Sequence, residues 1–391
     1  MINRPSPPFD VAIAGAGVAG LALALALVDE LGPRLRVVVV DPALDRPVRD
    51  DGRASMIAAD GRRLFERLGA WPASAAPVAG LRITDSRLDD AIRPTFLELG
   101  ERADDEPFAH MAFDAELRAA LRSRAEVAGI ALAPLALRAH AASAGGVTLA
   151  FDGHEPVRAA VLIGADGAAS AVRTRARIAA HAFPYDHVAL VATLEHDAPH
   201  GGVAVQHFLP GGPFAMLPLG GNRSSLVWSE RRDAARTVAA SDDASFLREV
   251  ERRAGPDYGA IRLAGSRGAF PLRFLLARSF VGDRVALVGD AGHVVHPLAG
   301  QGLNIGLRDV MALTTILATA ARAGEDLGSP ATLARYEGAR RFDVASVAAT
   351  TDALYRLFGH EATRAARDVG MGLVDRAPGL KRRIVEAASG L

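Results

Sequence analysis

Residues 10–28 read DVAIAGAGVAGLALALALV, and residues 35–41 read LRVVVVD. DVAIAG has the unbroken apolar texture of a strand buried on both faces, AGVAG is a tight turn, and LALALALVDEL is a helix packed against a sheet. The glycines fit G-x-G-x-x-G. Gly15 serves the turn, Gly17 lets a phosphate approach the backbone, and Gly20 lets helix and strand pack closely. That spacing alone is weak evidence. Here a second strand follows and ends in Asp41, 21 residues after Gly20, where an acid accepts hydrogen bonds from adenosine ribose hydroxyls. A pyrophosphate is expected on the N–H groups at the helix N-terminus, where the dipole favours negative charge. The motif does not separate FAD from NAD. No second copy follows a later strand, so one dinucleotide fold is expected.

The same stretch raises a rival reading, because Val11–Val28 is a run of eighteen residues without a charge. A signal sequence or short membrane span has that look. Asp10 before it, the spaced glycines within it and the second strand soon after it argue for strand, turn and helix. No other stretch is read as a bilayer span.

With 391 residues, half of them hydrophobic, the chain is long enough for a large core in two domains. Its 45 basic residues balance 45 acidic ones, so no nucleic-acid partner is expected. Lys381 is the sole lysine, which excludes Schiff-base chemistry in the core. There is no cysteine, so disulfides, thiolate metal sites and dithiol redox centres are excluded, and a cytoplasmic location is the simplest expectation.

AAVLIGADGAASAVR (Ala159–Arg173) is another apolar strand, broken by a turn at Asp166-Gly167 and followed by a helix. Asp166 reads either as an ordinary turn residue or as a ligand contact at a strand's C-terminal end. From about Pro184 to Pro271 the texture changes to period-2 alternation, as in HVALVATLEH and SSLVWSE, with Gly, Pro and Asn turns between. An antiparallel sheet inserted in the first domain is expected. Phe208, Phe214, Trp228 and Phe270 fall in or beside it and read as pocket wall or as sheet core. After Asp309 the chain is helical, with a break near Pro330.

Gly289–Asp309 reads GDAGHVVHPLAGQGLNIGLRD and joins a strand to a long helix. Asp290, His293 and His296 stand three apart, which suggests a metal. Gly292 and Pro297 oppose the continuous helix such a site would need, so no metal is expected. A carboxylate at Asp290 suits a polyol chain, and Gly300, Gln301 and Gly302 at a helix N-terminus suit a flat ring that becomes anionic on reduction. FAD offers both features and NAD lacks the ribityl chain. Pro297 would stiffen the loop beside the ring.

At this point the chain resembles the group A flavoprotein aromatic hydroxylases, the fold of p-hydroxybenzoate hydroxylase, and within them the ubiquinone-biosynthesis hydroxylases. GAGVAG, IGADGAASAVR and VALVGDAGHVVHPLAGQGLNIGLRD carry the general resemblance. The wording HPLAGQGLNIGLRDV and the later TTDALYRLF point to the quinone branch. The resemblance implies an α/β fold: a Rossmann-like FAD-binding domain (residues 1–72, 107–178 and 275–345), an inserted antiparallel β-sheet substrate domain (73–106 and 179–274) and a C-terminal helical segment (346–391). It implies that Gly15, Gly17, Gly20 and Asp41 bind the ADP part, that Arg53 reaches the flavin or its phosphates, and that Asp166 belongs to a motif shared by FAD and NADPH binding. Asp290 would hold the ribityl chain, with Pro297, Gly300, Gln301, Gly302 and Asn304 near the ring. Asp114 departs from the pattern, since relatives carry Asn or Arg there and an ionised acid cannot donate.

The implied reaction is flavin-centred. NADPH or NADH reduces FAD, O2 adds at C4a, and the resulting hydroperoxide hydroxylates a phenolic ring, here a polyprenylated phenol. No catalytic triad is needed. His296 and Pro297 are the candidate catalytic residues, and His293 or His296 is weighed as an aid to phenol deprotonation against a structural role. Alternatives are a hydroxylase of a soluble phenol, a flavin reductase or halogenase, and a non-catalytic flavin-binding accessory protein. So apolar a substrate implies peripheral contact with the inner face of the membrane or with a quinone-biosynthesis complex. The C-terminal APGLKRRIVEAASGL, with Lys381, Arg382 and Arg383 beside Leu380, Ile384 and Val385, reads as a weak interfacial helix or as a solvated one.

Overall fold

The computed structural model describes residues 9–85, 88, 95–99, 107, 109–297 and 300–358. The C-terminal basic segment therefore lies outside the described residues. β1 (Phe9–Ala14) leads through the glycine turn into α1 (Val18–Leu31) and out along β2 (Val37–Val40). Next come β3 (Ala54–Ile57), α2 (Ala59–Arg67), β4 (Ala76–Val78), β5 (Gly80–Asp85), β6 (Thr95–Leu99) and β7 (Ala109–Phe113). α3 (Asp114–Val127), β8 (Ala131–Ala133), β9 (Leu137–Ser143), β10 (Gly146–Phe151) and β11 (His154–Gly164) bring the chain back beside β1. After α4 (Ala171–Arg175) come β12 (Ala180–His196), β13 (Val203–Leu209), β14 (Gly212–Leu219), β15 (Arg223–Arg231), α5 (Arg232–Ala240), α6 (Asp243–Ala254), β16 (Ile261–Leu263) and β17 (Gly268–Ala277). β18 (Val281–Gly282), β19 (Val285–Leu287), β20 (His293–Val294), α7 (Gln301–Arg322) and α8 (Pro330–Phe358) complete the path.

The first sheet runs β18-β19-β11-β1-β2-β8, with β10 and β9 continuing from β11. β1 is parallel to both β2 and β11, and β11 is parallel to β19. The chain builds outward from β1 to β2 and β8, then returns to lay β11 and β19 on the other side. The strand order therefore reverses between β1 and β11, and a ligand crevice opens at their carboxyl ends. The Val11–Val28 run is thus a core strand and a core helix. Leu21–Leu27 of α1 are buried all round, the signature of a helix enclosed by protein.

One sequence reading is corrected here. α7 is also long and apolar enough to cross a membrane by length and composition. It is instead packed inside the molecule, with Ile305, Val310, Leu313 and Leu317 in the main core.

The second sheet runs β20-β17-β12-β15-β14-β13-β5-β6, with β16 paired to β12. Its alternation separates two faces. Leu190, Phe214, Leu226 and Trp228 turn to one side and pack with Phe246 and Val250 of α6. Ala189, Val191, Ala215, Ser225, Val227 and Ser229 turn to the other and line a cavity. Phe214 and Trp228 are thus sheet core, whereas Phe270 is pocket wall. The loop after β19 is more structured than the sequence suggests. β20 within it pairs with β17, Leu275 opposite Val294, and so ties the first sheet's crevice to the second sheet.

Candidate active site

Three strand ends converge on the crevice. At the first, Gly15 has φ +113°, and a Cβ there would stand 2.2 Å from the Ala165 carbonyl oxygen. A Cβ on Gly20 would stand 2.0 Å from the Gly15 oxygen, whereas one on Gly17 would meet nothing within 4 Å. Two glycines are thus demanded by packing and the third keeps open space over the α1 N-terminus. Asp41 accepts hydrogen bonds from the backbone N–H of Ala16 and of Ala43, each at 2.7 Å. It ties the end of β2 to the glycine turn and retains lone pairs for a ribose.

Beside this turn lies a cleft of about 210 Å³, lined among others by Ala16, Leu44, Arg46, Arg49, Arg118 and Arg122. Arg122 donates to the carbonyls of Arg46 and Leu44, and Arg118 to that of Arg49. The Arg118 Nε is buried and has no partner among the described residues. Such an orphaned donor beside an open helix N-terminus fits a diphosphate.

At the second strand end, Asp166 accepts from the Ser170 hydroxyl at 2.5 Å and from the N–H groups of Ala171 and Val172 at 2.7 and 3.0 Å. Its carboxylate holds the turn and the start of α4. Arg173 donates to the Ala291 carbonyl at 2.8 Å and to that of Ala168 at 3.1 Å, linking the second strand end to the third.

The third end, after β19, opens on a cavity of about 390 Å³ that Asp290, His296, Pro297, Gly300 and Gly302 line from the side of the first sheet. Gly300 has φ +64°, and a Cβ there would press on the Met56 Cβ at 3.0 Å; at Gly302 nothing lies within 4 Å. Gln301 is buried in the first turn of α7. Asn304 accepts from the Ala58 N–H at 3.0 Å and donates to the Met56 carbonyl at 2.8 Å and the Gly300 carbonyl at 3.3 Å. Asn304 therefore bolts β3 to the α7 N-terminus and shapes the glycine turn.

Charges in the cavity are few. Asp290 is exposed to the cavity, yet desolvation by the surrounding protein raises its pKa, against the opposing pull of His293, Arg53 and Arg273. Asp114 is raised in the same way by burial, and it accepts from the Ser55 hydroxyl at 2.6 Å. Arg53 is ion-paired with Asp51 at 2.8 Å, and its guanidinium lies 5.4 Å from the Phe270 ring centre.

His293 and His296 part company. His293 Nε2 lies 2.6 Å from Asp309 Oδ2, and that same oxygen accepts from the Gly289 N–H at 2.9 Å. Arg340 Nε donates to the other Asp309 oxygen at 2.7 Å. Burial alone would raise the Asp309 pKa, but His293 and Arg340 outweigh it and hold the carboxyl below its ordinary value. Tyr336 adds a hydrogen bond to the Leu287 carbonyl at 2.7 Å. This network positions the loop. Sequence reasoning missed Asp309, Tyr336 and Arg340; the available signal was an acid inside an otherwise apolar helix.

His296 is fully buried, and neither ring nitrogen has a hydrogen-bond partner among the described residues. Its ring centre lies 5.2 Å from Tyr185 and 4.9 Å from Tyr355. Burial, reinforced by His187, lowers its pKa to about 3, so the imidazole is neutral at pH 7. Tyr355 in turn meets His187 Nδ1 at 2.8 Å, and Tyr185 donates to Asp352 at 3.1 Å. Asp290, His293 and His296 thus serve different neighbours, and no group of three metal-ligating side chains is gathered among the described residues.

Residues 8–351 match the family described as FAD binding domain. The chain is 40% identical to the ubiquinone hydroxylase UbiL of Rhodospirillum rubrum, across 97% of this chain and 89% of that protein. It is 33% identical to the 3-demethoxyubiquinol 3-hydroxylase of Escherichia coli K12, across the whole of both chains. Its fold superposes on p-nitrophenol 4-monooxygenase from Pseudomonas putida with a TM-score of 0.78, covering 98% of this chain and 99% of that one, at 18% identity, a likeness of fold alone. Open glycine turn, arginine cleft and helix-capped cavity suit the cofactor this family binds, and the chain belongs to the FAD-binding-domain family of flavin-dependent monooxygenases, on the branch of the ubiquinone hydroxylases.

Proposed function

We propose that the protein hydroxylates the ring of a polyprenylated phenol in ubiquinone biosynthesis, consuming NADPH or NADH and O2. One observation carries this reading: a single cavity is shared by the loop that would hold the flavin ring, at Asp290, Pro297, Gly300 and Gly302, and by the inner face of the antiparallel sheet. FAD, when bound, supplies the activation of O2. Gly15, Gly17, Gly20 and Asp41 would seat its ADP part, Asp290 its ribityl hydroxyls, and Arg53 its ring or phosphates.

The protein's own groups do the rest. The α7 N-terminus sets partial positive charge beside the ring position, where reduction builds negative charge. Apolar residues such as Val191, Val227 and Leu272 keep water out. Neutral His296 accepts a hydrogen bond from the phenol hydroxyl, and charge developing on that oxygen would stabilise the protonated imidazole in turn. Pro297 stiffens the backbone next to it. The substrate enters from a bilayer or a lipid-carrying partner, and we place that contact at the inner membrane surface, as a peripheral one.

The test is NAD(P)H oxidation and product formation by the FAD-loaded protein with a prenylated phenol in detergent, together with quinone profiling of a deletion strain. Accumulation of a precursor lacking one ring hydroxyl is expected. A normal quinone profile and no substrate-dependent oxidation would refute the assignment.

A further inference from the structure

The sheet side of the cavity carries a feature that flavin binding does not use. Gln206 on β13 and Ser225 and Ser229 on β15 all line the cavity. The register explains why. Ser229 stands opposite Ala189, Val227 opposite Val191 and Ala215, and Gln206 opposite Ala215, so these side chains share one face of the pleat. None of the three polar side chains has a protein hydrogen-bond partner among the described residues. Their neighbours on that face, Ala189, Val191, Ala215 and Val227, are small or apolar and cannot supply one.

The charge pattern is as specific. Among the described residues that line the cavity, Arg53 is the sole cation, and Asp114 and Asp290 are the acids. Arg53 immediately precedes β3, outside this sheet, and is already paired with Asp51. A substrate carboxylate lying on the sheet wall would be desolvated with no cation to pair with it, and would share the cavity with two acids. Uncharged ring oxygens would find there three groups able to donate or accept.

Building on the phenol-site reading above, we infer that Gln206, Ser225 and Ser229 form an uncharged hydrogen-bonding wall that selects aromatic rings bearing neutral oxygen substituents and rejects aromatic carboxylates. A site that hydrogen-bonds a substrate hydroxyl discriminates strongly against rings that leave its polar groups unpaired. The wall therefore sets ring specificity independently of any apolar tail.

Two rings that differ only in the group in question make the test: 2-methoxy-4-methylphenol and 4-hydroxy-3-methoxybenzoate, titrated calorimetrically at pH 7.5 into the FAD-loaded protein. The wild type is expected to bind the uncharged ring at least tenfold more tightly. Ser225→Ala, Ser229→Ala and Gln206→Leu should each weaken that ring about three- to tenfold with FAD content unchanged. Val227→Arg, which puts a cation into the wall, should tighten the carboxylated ring about tenfold or more. Equal affinity of the wild type for both rings would overturn the inference, as would wall variants that leave the dissociation constants where they were. If neither small ring binds, the prenylated phenol decides. Hydroxylation of it at wild-type efficiency by the wall variants overturns the wall alone, and no turnover of it by the wild type overturns the phenol-site reading with it.

Discussion

Asp309 Oδ2 bridges His293 Nε2 and the Gly289 N–H, so a carboxylate on α7 fixes both ends of the turn that presents Asp290. Both side chains are buried, and Arg340 closes the network from α8. Removing the carboxylate would leave His293 and the Gly289 N–H without their acceptor and the buried Arg340 with Asp343 as its remaining ionic partner. Asp309→Ala should cost about 3–5 kcal/mol by chemical denaturation, and the folded fraction should retain less FAD. Because the folded-state pKa is lowered, this contribution is full above the ordinary aspartate value and is lost as the pH falls through the folded one. The Asp309→Ala protein should therefore lack part of the acid destabilisation that the wild type shows below about pH 4.

Two glycines of the N-terminal turn should fail in different ways. Gly17→Val adds atoms to open space, so the chain should fold but take up little FAD, measured as flavin absorbance per chain. Gly20→Val drives a side chain into the Gly15 carbonyl and should yield little folded protein at all. Asp290→Ala should behave like Gly17→Val, with FAD affinity down at least about tenfold, the scale of one lost charge-assisted hydrogen bond. A colourless wild type with no affinity for added FAD would sink the cofactor assignment.

His296 titrates far from its ordinary value, among Tyr185, Tyr355, His187 and Asp352. Its folded pKa is near 3 and its unfolded pKa near 6.5, so the unfolded chain binds the extra proton between these values. Stability from this site is complete above pH 6.5 and is lost as the pH falls towards 3, on the order of 2 kcal/mol of it by pH 5. His296→Phe should flatten that stretch of the stability curve and lower kcat for the phenol more than it changes KM. An unchanged curve and an unchanged kcat would remove His296 from the site.

Coupling should depend on the apolar part of the substrate. A prenylated phenol should direct most of the NAD(P)H consumed into hydroxylated product, because its tail displaces water from the cavity. Simple soluble phenols should mainly yield H2O2, measured by a peroxidase assay. Tight coupling with salicylate would place the enzyme with the soluble-phenol hydroxylases instead.

Chelators should leave activity intact, and elemental analysis should find no stoichiometric zinc or iron. His293 is committed to Asp309, and no group of three metal-ligating side chains is gathered around Asp290 and His296 among the described residues. One tightly held metal per chain would contradict this.

The sequence by itself determined what depends on neighbours along the chain. DVAIAGAGVAG and LRVVVVD specify strand, turn, helix and strand because the apolar run, the spaced glycines and the terminal acid act within a few residues of one another. The α7 N-terminus was legible for the same reason, as was the alternation that makes β12 to β15 an antiparallel sheet. Tertiary structure decided what depends on which surfaces meet. Alternation divides a strand into two faces but does not say which one looks at a cofactor. Only the packing of α6 against Phe214 and Trp228 turns Ser225 and Ser229 towards the cavity. The roles of Asp309 and Arg340 were hidden likewise, since their partners lie 16 to 31 residues away and no local pattern encodes that meeting. Asp166 and Asn304 show the converse. Their positions were readable, and Asp166 bonds Ala171 within its own turn, but the Asn304 hydrogen bonds to Ala58 and Met56 exist only once β3 is laid against α7 and backbone groups are left to satisfy.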